Sequence, residues 1–213
     1  NMAIEAGGKN GIIEADEVTT EYVRQRTDRP YKIYQSDENA KYIFKKTYNA
    51  SAMEPIVAKP HSPDNKAKVS ECEDVKLDRA YIGSCTGGKL TDFMAAAKLL
   101  KGKKVQIDTF IVPATREVEE DLHKEKIGSE SLIDIFKNAG AHLGEPSCAA
   151  CLGGPKDTFG RAGDNQVVIS TTNRNFPGRM GSKQSHVYLA SPYTAAASAL
   201  TGHITNPEEF VNN

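Results

Sequence analysis

The sequence predicts an α/β fold with a mainly parallel sheet and flanking helices, and three observations lead there. From about residue 76, short apolar runs alternate with helix-like stretches, the pattern of parallel strands joined by crossover helices. Gly140 and Gly202 fall where predicted helices should stop. The last helical stretch, 193–200, is rich in alanine and other small residues, which suits close packing on a sheet or a neighbouring helix.

Taken in order, residues 1–30 open with a glycine-rich turn and continue into a short helix. Asp16 is placed to cap that helix, with Val18, Tyr22 and Val23 turned inward. Residues 28–64 are polar and carry prolines at 30, 55, 60 and 63; the alternation Tyr31-Lys32-Ile33-Tyr34 predicts a strand or two within an irregular connection. Strands are then expected at 80–83, 105–112, 166–170 and 187–190, with helices at 91–100 and 131–139 between them. The chain therefore divides into 1–65, the end of a preceding α/β domain with its connecting segment, and 66–213, an α/β domain carrying most of the chemistry.

Composition narrows the function classes. The 213 residues include 38% hydrophobic and 26% charged side chains, and no apolar run approaches the roughly 20 residues needed to cross a bilayer. With 27 basic against 28 acidic side chains, no global field attracts nucleic acid or an anionic membrane. Four cysteines in this length are too sparse for a disulfide scaffold and favour a reducing compartment, the cytoplasm or an organelle matrix or stroma.

Cys85 directly follows a predicted strand in Gly83-Ser84-Cys85-Thr86-Gly87-Gly88, and Cys148 and Cys151 form a Cys-x-x-Cys bounded by Gly153 and Gly154. In an open α/β sheet, binding sites collect beyond the carboxyl ends of strands, so the two loops can converge. Three thiolates fall one short of a closed four-ligand site, and an open position is what metal-assisted chemistry needs. Spacing alone leaves an iron–sulfur cluster, a partial zinc site and a thioredoxin-like redox pair open. Cys72 lies among Glu71, Glu73 and Asp74, which raise a thiol pKa, and reads as incidental.

The run from Ser170 to Gly181 follows another predicted strand and places Arg174 and Arg179 five residues apart in a loop shaped by Pro177 and Gly178. Guanidinium groups so placed suit bidentate recognition of a di- or tricarboxylic acid, and Asn173 and Asn175 can donate hydrogen bonds to a substrate or cluster. The competing reading is that the arginines pair with acidic residues elsewhere in the chain. His61, in a proline-bounded turn, is expected to make a structural hydrogen bond, and the other histidines are isolated.

Three motifs in order resemble the aconitase superfamily of hydro-lyases: Ile82-Gly83-Ser84-Cys85-Thr86, Ser147-Cys148-Ala149-Ala150-Cys151-Leu152-Gly153, and Thr171-Thr172-Asn173-Arg174-Asn175-Phe176-Pro177-Gly178-Arg179. The stretch from Tyr188 to Gly202 extends the match, and Asn1-Met2-Ala3-Ile4-Glu5-Ala6-Gly7 resembles the family's catalytic Asn/Glu segment. The resemblance implies a three-layer aconitase-type domain preceded by the end of another family domain. It implies a [4Fe–4S] cluster held by Cys85, Cys148 and Cys151, whose fourth iron binds the substrate hydroxyl and a carboxylate. Arg174 and Arg179 are then carboxylate clamps, Asn173 lies near the cluster, and Asn1 and Glu5 hydrogen-bond the reacting groups.

The implied reaction dehydrates a 2-hydroxy acid to an alkene diacid and rehydrates it at the neighbouring carbon. Gly87 stands where many family members carry Asn. The family's Asp–His pair belongs to an N-terminal region absent from this sequence, and its serine base lies on a swivelling domain that a separate small subunit carries in the two-subunit members. Activity is thus expected to need both of those partners, while the neutral charge balance and lack of a basic stripe argue against an RNA-binding relative.

Overall fold

The computed structural model describes residues 2–211. The described part opens with α1 (Glu17–Arg24), followed by strands β1 (Ile56–Ala58), β2 (Lys66–Lys68) and β3 (Arg79–Gly83). Helices α2 (Ser84–Gly87) and α3 (Leu90–Leu100), strand β4 (Asp108–Val112) and helix α4 (Arg116–Lys124) come next. A small hairpin of β5 (Lys126–Ile127) and β6 (Glu130–Ser131) leads into α5 (Leu132–Ala139) and β7 (His142–Leu143). The chain ends on β8 (Val167–Ser170), β9 (His186–Leu189), α6 (Pro192–Thr201) and α7 (Glu208–Val211).

Seven strands form one sheet in the order β2-β1-β9-β8-β3-β4-β7. The pairs from β9 through β7 are all parallel, and β1 joins β9 and β2 in antiparallel fashion at the edge. The expected division at residue 65 falls inside the β1–β2 hairpin, so the sheet begins with Ile56.

The alternation of β3 explains the layering. Ala80 and Ile82 point to one face, where they join Ile111 of β4, Ile169 of β8 and the apolar sides of α3, α5 and α6 in one buried cluster. Tyr81 points to the other face, with Val112, Val168, Val187 and Leu189, and is covered by Ala150, Ala162 and Met180 from the two long loops. A central strand buried on both faces reads as a continuous apolar run, as 80–82 does. α6 lies against α3 and β3; Ser191 caps it by accepting from the Thr194 amide at 3.2 Å, and Gly202 ends it in the left-handed conformation. Gly140 ends α5 in the same way.

The first 55 residues depart from expectation. Asp16 does cap α1, accepting from the Thr19 amide at 2.7 Å, but Val18 and Tyr22 are 77% and 56% exposed rather than turned inward. Residues 31–34 form no strand, because no neighbouring backbone offers them a ladder. Lysines cover several of the aromatic rings there, as Lys32 does Tyr34 at 5.0 Å. The predicted strand from 105 begins at Asp108, and α4 is an element the sequence reading did not name.

Candidate functional site

β3 delivers the first cysteine. Its last residue, Gly83, leads into the single turn of α2, where Ser84 is buried in the left-handed region at φ 74° and Cys85 is exposed beyond it. A hydroxyl from another loop fixes this turn. Thr171, just past the end of β8, accepts from the Gly83 amide at 2.9 Å. Its one proton is shared between the carbonyls of Gly83 and Gly87 at 3.0 and 3.1 Å. Gly87 is needed for that approach, since a Cβ there would lie 2.4 Å from the Thr171 Cβ and 2.7 Å from its carbonyl oxygen.

The Cys-x-x-Cys stands on the loop after β7. Ser147 Oγ accepts from the Ala149 amide at 3.0 Å, and the Leu152 amide returns to the Cys148 carbonyl at 3.0 Å, closing a short turn that leaves Cys148 exposed and Cys151 buried. Arg161 supports the loop by donating from Nε to the Gly154 carbonyl at 2.9 Å. Arg179 reaches the same turn, its Nη2 lying 3.8 Å from Cys151 Sγ. Burial pushes the Cys151 thiol up, Arg179 opposes that shift, and Cys85 and Cys148 are close enough to raise it further as they ionise. The three thiols of the two loops therefore share one electrostatic neighbourhood. None is in a disulfide, and among the described residues no three His, Cys, Asp or Glu side chains are grouped as a single ion would need.

Glu5 meets the arginine loop from the far end of the chain. Its Oε1 is ion-paired with Arg174 Nε and accepts from Asn173 Nδ2 at 3.1 Å, and its side chain is only 6% exposed. The Arg174 hydrogen bond holds its carboxyl below the usual range against the opposing effect of burial. Arg174 thus reads as the partner of an internal carboxylate, while Arg179 keeps its Nε buried and without a partner. Asn175 is a structural tie, donating to the carbonyls of Lys59 and Val187 at 2.9 and 3.0 Å and pinning β1 to β9. Asn1 lies outside the described residues.

Several buried polar atoms around this site lack a hydrogen-bond partner: Glu5 Oε2, Asn173 Oδ1, Thr86 Oγ1, Arg179 Nε and the Tyr81 hydroxyl. Buried polar groups are normally satisfied, so these atoms are places where water or a bound group can complete the bonding. Three soft sulfur donors on two loops fit an iron–sulfur cluster by donor chemistry. Neither Thr171 nor Tyr81 carries a local signal for its role, although Tyr81 lies in the expected strand 80–83 and Thr171 opens the arginine motif.

Other predicted features lie elsewhere. Cys72 is buried in the helix-side core, and burial raises its thiol pKa first, ahead of Glu71 and Asp74. The His61 turn is held by Asn65 donating to the Pro60 carbonyl at 2.9 Å, and the imidazole instead faces His186 at 5.3 Å between ring centroids. Among the described residues no helix is long and apolar enough to cross a membrane.

The sheet, the paired cysteine loops and the arginine loop define a member of the aconitase family. That family's sequence pattern (aconitate hydratase) matches residues 1–74 and 65–202, and the chain belongs to it. Membership implies an iron–sulfur cluster. The chain is 55% identical over 217 residues to the chloroplastic 3-isopropylmalate dehydratase large subunit of Arabidopsis thaliana, covering 99% of this chain and 43% of that protein. It is 49% identical over 215 residues to the 3-isopropylmalate dehydratase large subunit of Hydrogenobaculum sp., covering 100% of this chain and 49% of that one. The large subunit 1 of Pyrococcus furiosus is likewise 49% identical over 215 residues, at 99% and 49% coverage. The chain spans under half the length of these relatives.

Proposed function

We propose that this chain is the cysteine-bearing part of a 3-isopropylmalate dehydratase large subunit, which interconverts 2- and 3-isopropylmalate in leucine biosynthesis. The observation that supports the reading is Arg179 beside Cys151 and the Glu5–Arg174 pair on the same arginine loop, in a chain 45–55% identical to proteins of that name. Cys85, Cys148 and Cys151 would hold a [4Fe–4S] cluster, which when bound supplies a Lewis acid for the leaving hydroxyl. In the reaction a hydroxyl and a proton leave adjacent carbons as water, and water returns with the two positions exchanged.

The chain's own side chains orient the reacting acid. Arg179 offers a guanidinium beside Cys151 that can hold a substrate carboxylate bidentately. Glu5, kept ionised by Arg174, presents its unpartnered Oε2 as an acceptor, and Asn173 presents its unpartnered Oδ1. Asn1 joins them as a hydrogen-bonding residue. No base for the carbon-bound proton is assigned to this chain; it belongs to the small subunit carrying the swivelling domain, and the remaining part of the large subunit completes the pocket. The chain on its own is inactive, and it works in the cytoplasm or an organelle stroma.

Anaerobic reconstitution with iron and sulfide tests the reading. About four irons per chain with acid-labile sulfide are expected, and the Cys148→Ser variant should lose them. One zinc per chain, or no metal, would overturn it.

A further inference from the structure

We infer that the Tyr81 hydroxyl is a hydrogen-bond donor to sulfur at the three-cysteine site, a bond completed only when the iron–sulfur group is bound. The inference rests on the assignment of Cys85, Cys148 and Cys151 as its ligands.

Tyr81 is 0% exposed and sits at the centre of β3, the middle of the parallel sheet. It faces the loop side and shares a buried cluster with Ala150, the residue next to Cys151 in the Cys-x-x-Cys turn. Its ring is held from both edges. A Cβ at Gly160 would lie 2.8 Å from its Cε2, and one at Gly83 would lie 3.0 Å from its Cε1. Gly160, at φ +76°, lets the loop backbone close onto the ring in a conformation that side-chain-bearing residues avoid. The ring therefore cannot swing away to find water, yet its hydroxyl is buried without a partner.

For packing alone, phenylalanine would fill the same space without an orphaned hydroxyl, so the oxygen has no use in the sheet core. A phenol carries its proton at neutral pH, so toward negative sulfur this buried, unpartnered hydroxyl serves as a donor. A donor aimed at cluster sulfur stabilises the reduced, more negative state and raises the potential.

The test compares wild-type chain with Tyr81→Phe, each before and after anaerobic reconstitution. Before loading, the variant should unfold at the same temperature as wild type or higher, since it loses only an unsatisfied hydroxyl. After loading, the potential read by redox titration with paramagnetic resonance should shift lower, and iron loss in air should be faster by roughly tenfold or more, the usual penalty for deleting a supporting hydrogen bond. Equal potentials and equal iron loss in two loaded proteins would overturn the inference and leave the cluster assignment standing. A variant less stable before loading with an unchanged potential would show that the hydroxyl serves the fold, overturning it as well. Failure of the wild-type chain itself to take up iron would remove both readings.

Discussion

Replacing Gly87 by alanine adds one methyl at the tightest contact between the cysteine turn and the arginine loop. The new Cβ would sit 2.4 Å from the Thr171 Cβ, 2.6 Å from its Oγ1 and 2.7 Å from its carbonyl oxygen, all shorter than real Cβ contacts. Thr171 cannot easily yield. Its amide is bonded to the Tyr81 carbonyl at 3.0 Å, and its hydroxyl serves Gly83 and Gly87 from inside the core. Overpacking of this kind costs about 1–3 kcal/mol, and each hydrogen bond broken to relieve it adds about 1 kcal/mol. The expected loss is therefore about 2–4 kcal/mol, read as a lower urea midpoint at unchanged slope. Gly87→Ala should cost less in a Thr171→Gly background than in wild type, because the colliding Cβ and Oγ1 are gone while the carbonyl contact remains. A Gly87→Ala chain within about 0.5 kcal/mol of wild type, the spread of neutral surface changes, would mean that the turn has slack and that Thr171 does not position it.

Glu5 gives a pH signature. Its carboxyl is depressed by Arg174, so its contribution is complete above the unfolded carboxyl pKa and is lost as pH falls through the lower folded value. Amide exchange around residues 2–8 should accelerate across that acidic window, and Glu5→Gln should bring the faster rate to neutral pH. Loss of one charge-assisted bond of about 1.5 kcal/mol corresponds to roughly tenfold, and identical exchange in the variant would show that the pair holds nothing in place. Cys72→Ala should lower stability by about 1–2 kcal/mol through its core position and leave iron uptake of the reconstituted chain unchanged; lost uptake would assign that thiol to the site.

What the sequence disclosed depended on whether a residue's partner was near in the chain or implied by periodicity. β3, α3, α5 and α6 were legible because apolar runs, caps and helix-ending glycines are local signals. The cysteines were legible as chemistry, since few other roles suit three thiols in two glycine-bounded loops. The segment at 31–34 misled because its alternation satisfies the strand pattern while no second strand lies beside it. The pairing of Arg174 with Glu5 was not legible, because the two are 169 residues apart in the chain. Asn175 read as a site residue for the same reason, its acceptors being Lys59 and Val187. Thr171 and Tyr81 were invisible because their roles lie in which face of the sheet they meet and what is packed against it.

The Thr171 hydroxyl has a thermodynamic corollary. It joins the turn bearing Cys85 to the loop bearing Arg174 and Arg179, so a molecule that immobilises one also restricts the other. Linkage makes the effect reciprocal: whatever factor a loaded metal group adds to the affinity for a carboxylic acid, the acid returns to retention of the metal group. On the proposed function, an acid held by Arg179 would then slow loss of the metal group from the cysteines, and the protein without acid would lose it fastest.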